Sequence, residues 1–407
     1  MALALRIFLP FALTYLLAYM LRVVNAVAGE PIRADLGLSV ADLGLLTSVY
    51  LAAFALCQIP FGVMMDRYGP RRVEAATLVL AAAGCAAFAL ASTYTELVAG
   101  RILMGVGASM CLMAPFTAYR KWFTMERLPF VIGLHMTFGA AGSALGGWPA
   151  EFVIEAVGWR GLFTLLGVLV VVAALSILLV VPSKREPSSG EGYAMMAKEL
   201  VAVAKSRALW RLAPLSAISQ AGYLSVVGLW TGPWLRDVAG LSADAAAWWL
   251  SATAFGLMAG FFGYGILVSR AEKSGRGFTV FLVGTVLYAI VTVGIIALPP
   301  QTAAPLWVLY AALGSGGVVT YGMIASDFRP ELAGRVNTML NFLVFFTAFL
   351  VQWGFGLVLQ AFAGEDGAPP VIGYDVAIAI LLGLQLAAYI PLLMKASGTS
   401  EAKAAGG

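Results

Sequence analysis

The stretch Gly62-Val63-Met64-Met65-Asp66-Arg67-Tyr68-Gly69-Pro70-Arg71-Arg72 sets one aspartate and three arginines between two apolar runs, at about 43–65 and 74–93. Each run is long enough to cross the roughly 30 Å hydrocarbon layer as a helix, which takes about 20 residues. A charged island between two such runs reads as a short loop at a membrane surface. The pattern extends in both directions, with further apolar runs at about 5–28, 97–118, 129–154, 159–182, 212–235, 245–268, 278–298, 305–326, 336–362 and 375–394. The expectation is an all-α polytopic membrane protein of roughly twelve transmembrane helices.

Composition leads to the same class. Hydrophobic residues make up 61% of the 407, charged residues 11%, and the mean hydropathy is +0.90, whereas soluble domains carry about 25% charged residues. Lipid is the solvent such a chain suits, and in lipid every backbone polar group must be satisfied inside the helix. The net charge of +4 comes from clusters between apolar runs, not from a continuous basic stripe, so no nucleic-acid partner is implied. Cys57, Cys85 and Cys111 each sit inside an apolar run without a CxxC pairing, which argues against structural disulfides. Leu5 to Val27 is too long for a signal-peptide core and reads as a retained first helix.

Lysine and arginine alternate in density from loop to loop. The rich loops hold Arg67, Arg71 and Arg72; Arg120, Lys121 and Arg127; Lys184, Arg185, Lys198, Lys205 and Arg207; Arg270, Lys273 and Arg276; and Arg329 and Arg335, while the opposite loops hold little beyond Arg33, Arg160 and Arg236. The positive-inside rule then predicts both termini on the cytoplasmic side of a bacterial inner membrane. Four segments are expected: an N-terminal six-helix bundle at 1–182, a cytoplasmic central loop with an amphipathic segment at 183–207, a C-terminal six-helix bundle at 208–395 and a disordered tail at 396–407.

The halves repeat. Gly37-Leu38-Ser39 begins thirty positions before Arg67, and Gly240-Leu241-Ser242 begins thirty before Arg270. Phe123-Thr124-Met125-Glu126 is echoed by Phe328-Arg329-Pro330-Glu331. The quoted loop resembles the signature G-x-x-x-D-R-x-G-x-R-R of the major facilitator superfamily, with a degenerate copy at Gly265 to Arg270 in which Ser269 stands in place of the aspartate. Arg101-Ile102-Leu103-Met104-Gly105-Val106-Gly107 and Gly158-Trp159-Arg160 are similar to further family patterns. The resemblance implies two pseudo-symmetric bundles that rock about a central site. It makes Gly62, Asp66, Arg67, Gly69, Arg71 and Arg72 a gating latch, in which the Asp66 carboxylate would face a helix N-terminus near Gly334. Gly142-Ser143-Ala144-Leu145-Gly146-Gly147 is similar to the antiporter motif G-P-x-x-G-G, but Ser143 replaces the proline, which weakens a drug or metabolite efflux antiporter as an alternative.

An ionisable residue inside a membrane span is costly and therefore a functional candidate. Tyr15, Tyr19 and Arg22 follow an i, i+4, i+7 spacing on one face of the first helix, with Asn25 about one turn on. A guanidinium beside phenolic donors suits a carboxylate or an inorganic oxyanion such as nitrate. The segment Tyr19 to Asn25 also looks like the first helix of the family's anion-transporting branches. Snorkelling of Arg22 to headgroups is the structural alternative. Arg101, Gln220, Tyr223, Trp230, Asn337 and Asn341 complete the substrate candidates, with helix packing or hydrogen bonding between helices as their alternative reading. Trp234, beside Arg236 and Asp237, reads as an interface-belt residue.

For coupling, His135 and Glu151 are the candidates, and no proton relay is evident; anion exchange and uptake with a proton both stay open. A second function, a transition-metal (copper) importer, would use Met110, Cys111, Met113, His135 and Met136. A third is a transport-inactive sensor on the same fold. No phosphate loop of the GxxxxGK[ST] type occurs, and nothing resembles a nucleophile, base and acid, so neither an ATP-driven pump nor an enzyme is expected. No cofactor is expected. The partners expected are a small, anionic substrate, the lipid bilayer and no second protein copy.

Overall fold

The computed structural model describes residues 2–124, 127–182, 193–272, 274–329, 332–364 and 370–393. Its described residues form helices and no strands. The spans are α1 (Leu3–Val23), α2 (Val40–Gly62), α3 (Pro70–Leu90), α4 (Tyr94–Trp122), the shorter α5 (Phe130–Leu145), α6 (Trp148–Val180), α7 (Arg207–Val238), α8 (Ala243–Ala271), α9 (Gly277–Ala297), α10 (Leu306–Ala325), α11 (Ala333–Phe362) and α12 (Val371–Leu392). The shortness of α5 has a local cause. The helix stops at Leu145, and a new one starts at Trp148 with Pro149 in its first turn. That second helix is itself broken at Gly158, whose φ of 72° and ψ of 170° no helix contains. Residues 148–157 thus prolong α5 beyond a break, and α6 proper begins at Trp159. This agrees with the apolar runs at 129–154 and 159–182.

The Gly-Leu-Ser repeat is a pair of helix junctions. Gly37 and Gly240 both adopt left-handed backbone, with φ of 62° and 68°, which glycine tolerates without a Cβ penalty. The Gly37 amide closes the helix Asn25–Leu36 on the Arg33 carbonyl, and the Gly240 amide bonds to the Arg236 carbonyl at 3.1 Å. The serine then starts the next helix. Ser39 Oγ accepts from the Asp42 amide at 3.1 Å while Asp42 accepts from the Ser39 amide at 3.0 Å, a reciprocal cap that satisfies two otherwise free donors. Ser242 Oγ accepts from the Ala245 amide at 3.3 Å.

The packing repeats with the sequence. α3 packs on α4 and α6, as α9 packs on α10 and α12; α1 packs on α5 as α7 does on α11; α2 packs on α4 as α8 does on α10. The halves meet along two seams, α2 with α11 and α5 with α8, which exchange when the halves are exchanged. Close seams without a hydrophobic driving force need small residues. Cβ atoms on Gly44 and Gly356 would each lie 3.3 Å from the other residue's Cα. The helix Tyr193–Lys205 lies against α11, where Glu199 accepts from Arg335 at 3.0 Å.

Candidate substrate site

A cavity of about 430 Å³ opens between the halves, lined from α1, α2, α4 and α5 on one side and α7, α8, α10 and α11 on the other. Its size lies in the range of small-molecule sites. At its mouth are Gly62, Arg120, Leu200 and Arg335, beside the arginine-rich loops, a surface we call the basic face. Its floor is Arg22 with Tyr19 and Tyr223, beyond which about 20 Å³ of space continues, beside Ser143, Gly228 and Thr253.

Arg22 is 6% exposed. Its guanidinium carbon lies 4.4 Å from the centroid of the Tyr19 ring, 4.8 Å from that of Phe345 and 5.1 Å from that of Phe54. Ring faces attract a cation, by up to about 2 kcal/mol when desolvated, and this holds the charge without neutralising it. The phenols of Tyr19, Tyr50, Tyr15 and Tyr223 surround Arg22. Among the described residues no carboxylate pairs with it, and its Nε makes no hydrogen bond. The arrangement offers one buried positive charge with donor capacity to a ligand of opposite sign.

Tyr15 and Tyr19 share the cavity with Arg22, as their helical spacing predicts. From the other half come Gln220, Tyr223, Asn337 and Asn341. Gln220 donates to Ser216 Oγ at 3.1 Å, and Asn341 Oδ1 accepts from Tyr321 at 3.1 Å. Asn337 Oδ1 and Asn341 Nδ2 have no partner.

Three candidates are placed elsewhere. Asn25, three residues past Arg22, turns to α2, donating to Thr47 at 3.0 Å. Arg101 is fully buried behind α1, donates to the Leu21 carbonyl at 2.7 Å and lies over Phe88 and Phe163; it braces the end of α1 and does not reach the cavity. Trp230 donates to the Gln352 carbonyl at 3.0 Å, stacks on Phe355 and fills the seam at Gly44 and Gly356. It belongs to the closed end opposite the basic face. Trp234, expected in the interface belt, is 1% exposed against Trp307. The segments Val226–Trp230 and Trp234–Val238, on either side of Thr231-Gly232-Pro233, are π-helical. Such bulges gather at functional sites.

In the latch, Gly62 lines the cavity mouth, and Gly69 turns the chain into α3 at a φ of 82°. Arg67 and Arg72 are exposed, and Arg71 donates to the Leu178 carbonyl of α6. The Asp66 side chain lies outside the described residues, as do 183–192, the Met125-Glu126 and Pro330-Glu331 parts of the echoed loops, and the tail. Glu151 faces Arg236, Glu155 and Asp244 near the closed end. His135 is buried under Tyr15, with ring centroids 4.4 Å apart, and its Nδ1 is 3.0 Å from the Tyr119 hydroxyl. The sulfurs of the copper alternative are otherwise occupied: Met110 and Met113 pack with Met64 and Met65, Met136 accepts from Tyr15 at 3.3 Å, and Cys111 adjoins Glu74. Phe54 and Phe345 are site residues that sequence reasoning passed over, and Tyr321 of α10 lines the cavity with them. The two phenylalanines carry no signal beyond their apolar runs, whereas Tyr321 was visible as a polar group in α10.

The family model of the Major Facilitator Superfamily matches residues 11–352. The chain belongs to this superfamily. It is therefore a multi-pass membrane protein of a transporter family. The hexuronate transporter of Bacillus subtilis is 23% identical over 94% of this chain and 93% of its own length. The probable sulfoacetate transporter SauU of Cupriavidus necator is 29% identical over 38% of this chain; the match spans about a third of that relative, 36% of its length. A bacterial homologue of the human lysosomal transporter Spinster, solved in an inward-facing and occupied conformation, superposes with a TM-score of 0.76 at 18% identity, covering 97% of each chain. That likeness establishes the fold.

Proposed function

We propose that this superfamily member is a secondary transporter of a small anion, a carboxylate, a sulfonate or an oxyanion, which it carries across a bacterial inner membrane by alternating access. The observation that carries the reading is Arg22, a buried guanidinium on the cavity floor that aromatic faces hold without a carboxylate partner among the described residues. A site of this kind holds a desolvated charge whose cost an anion offsets when it binds. The relatives named for sulfoacetate and hexuronate, both organic anions, support the class. Residues 1–182 and 208–395 are the two rocking bundles, 183–207 links them, and the basic face with both termini is cytoplasmic. The cavity would then be open to the cytoplasm. The test is uptake of labelled sulfoacetate, glucuronate and nitrate into proteoliposomes of the purified protein. Saturable uptake of at least one, competed by the others according to charge and size, is the expected result. Competition by neutral sugars and organic cations in place of anions would refute the class.

A further inference from the structure

The cavity carries different chemistry at its two ends. On the walls above the floor, most neutral polar side chains already give a proton to the protein itself. Tyr15 donates to the Met136 sulfur at 3.3 Å, Gln58 to the Ser109 carbonyl at 3.1 Å and Tyr321 to Asn341 Oδ1 at 3.1 Å. Thr117 and Thr338 each donate at 3.0 Å to a carbonyl one turn back on their own helix, those of Met113 and Gly334. A hydroxyl has a single proton, so these groups have none left for a ligand. Between them stand side chains with no polar atom, Ile59, Phe116 and Ile132 from one half and Phe261, Val318 and Val344 from the other.

At the floor the balance reverses. Arg22 brings its charge and its donors from the N-terminal half. Tyr223 of α7 lines both the cavity and the small space beyond it; its hydroxyl lies near Tyr19 and Arg22 and is bonded to no described residue. Donors are thus concentrated at one end of a space that suits a drug-sized ligand. An ion as small as nitrate would meet Arg22 and leave the walls unmatched. A body covered with hydroxyls would lose its water against groups that cannot replace it, which weakens binding. A body without polar groups avoids that loss and gains by leaving water. Phe116 and Phe261, with Met65 and Met113 nearby on the lining, offer aromatic and thioether surface, which favours a flat ring.

We propose that the cavity takes an organic monoanion with an apolar aromatic body, an arylalkanoate or an arylsulfonate, in preference to sugar acids and inorganic oxyanions. The acid group is seated at the floor, held by Arg22 from one half and by the Tyr223 hydroxyl from the other. The ring lies along the walls that carry Phe116 of α4 and Phe261 of α8 and points to the basic face. The inference rests on the anion reading and narrows its substrate.

Isothermal titration calorimetry of the purified protein in nanodiscs tests this with phenylacetate, acetate, glucuronate, nitrate and the neutral phenylacetamide. Phenylacetate should bind at least about tenfold more tightly than acetate, glucuronate or nitrate, as burial of a phenyl ring predicts, and phenylacetamide should give no binding. Phe116→Ala and Phe261→Ala should each weaken phenylacetate by about three- to tenfold and leave acetate unchanged. Partition of the ring into lipid cannot produce that difference, since the lipid is the same for every variant, and acetate binding shows that each variant is folded. Tyr223→Phe should weaken acetate and phenylacetate by the same factor, about tenfold. Glucuronate or nitrate binding as tightly as phenylacetate, an unchanged phenylacetate affinity in both phenylalanine variants, or a Tyr223→Phe effect confined to phenylacetate would overturn the proposal and leave the anion reading standing. If no anion binds the wild-type protein, or phenylacetamide binds as well as phenylacetate, the anion reading itself fails and the proposal falls with it.

Discussion

Gly44 offers a way to disturb the closed end without touching the cavity. A Cβ there would lie 3.1 Å from Trp230 Cζ2 and 3.3 Å from Gly356 Cα. Gly44→Leu adds three further carbons in the volume of the indole and of the α11 backbone. Overpacking of this kind costs about 1–3 kcal/mol. Displacing Trp230 also strains its hydrogen bond to the Gln352 carbonyl, worth about 0.5–1.5 kcal/mol. A state in which α2 and α11 have parted here has room for the leucine, so the closed end loses roughly 2–4 kcal/mol relative to it, about 30- to 1,000-fold in population. Thr338, on the cavity wall beside the basic face, reports the change. In a Cys57→Ser background, a cysteine placed by Thr338→Cys should react readily with a membrane-impermeant maleimide. Adding Gly44→Leu should slow that reaction by at least about tenfold. An unchanged rate in a folded double variant would refute the assignment of the Gly44, Trp230 and Gly356 contact as the closed gate.

Arg101→Leu should lower thermal stability by about 1.5–3 kcal/mol, since it leaves the Leu21 carbonyl unpaired. The stabilisation that an added anion gives should persist in that variant, because Arg101 does not reach the cavity; calorimetric melts with and without sulfoacetate check both. Outside the membrane spans, the Arg160 guanidinium hydrogen-bonded to Asp35 holds that carboxyl below the ordinary carboxylate range. A lowered folded value means that the pair stabilises above the unfolded value near 3.9 and that the gain is lost as pH falls through the folded one. Asp35→Asn should therefore melt earlier than wild type at neutral pH, with the difference shrinking below about pH 4, as melts across a pH series would show.

Hydropathy alone made the spans legible, because lipid forces a backbone to satisfy itself within each apolar run. The Gly-Leu-Ser repeat was legible for a local reason as well, being a left-handed glycine followed by a capping serine. The Tyr15, Tyr19 and Arg22 face followed from helical periodicity, which holds as long as the helix is continuous. It does not reach Asn25, which lies about 60° around the helix from Arg22 and donates to Thr47 of α2. Arg101 illustrates a different limit, since periodicity places a side chain on a face but not opposite a particular partner. The aromatic cover of Phe54 and Phe345 depends on the seam between α2 and α11, a contact about 290 positions apart in sequence that no local pattern encodes.

The central claim is that Arg22 supplies the charge that holds the substrate. Thermal unfolding of purified wild-type protein and of Arg22→Gln, each titrated with sulfoacetate, glucuronate and nitrate, tests it most directly. An anion at about 100 times its dissociation constant stabilises the folded state by about 2.7 kcal/mol, and the wild-type melt should rise accordingly with at least one of the three. Arg22→Gln should stay folded and show no rise, whereas a rise equal to that of wild type would contradict the account.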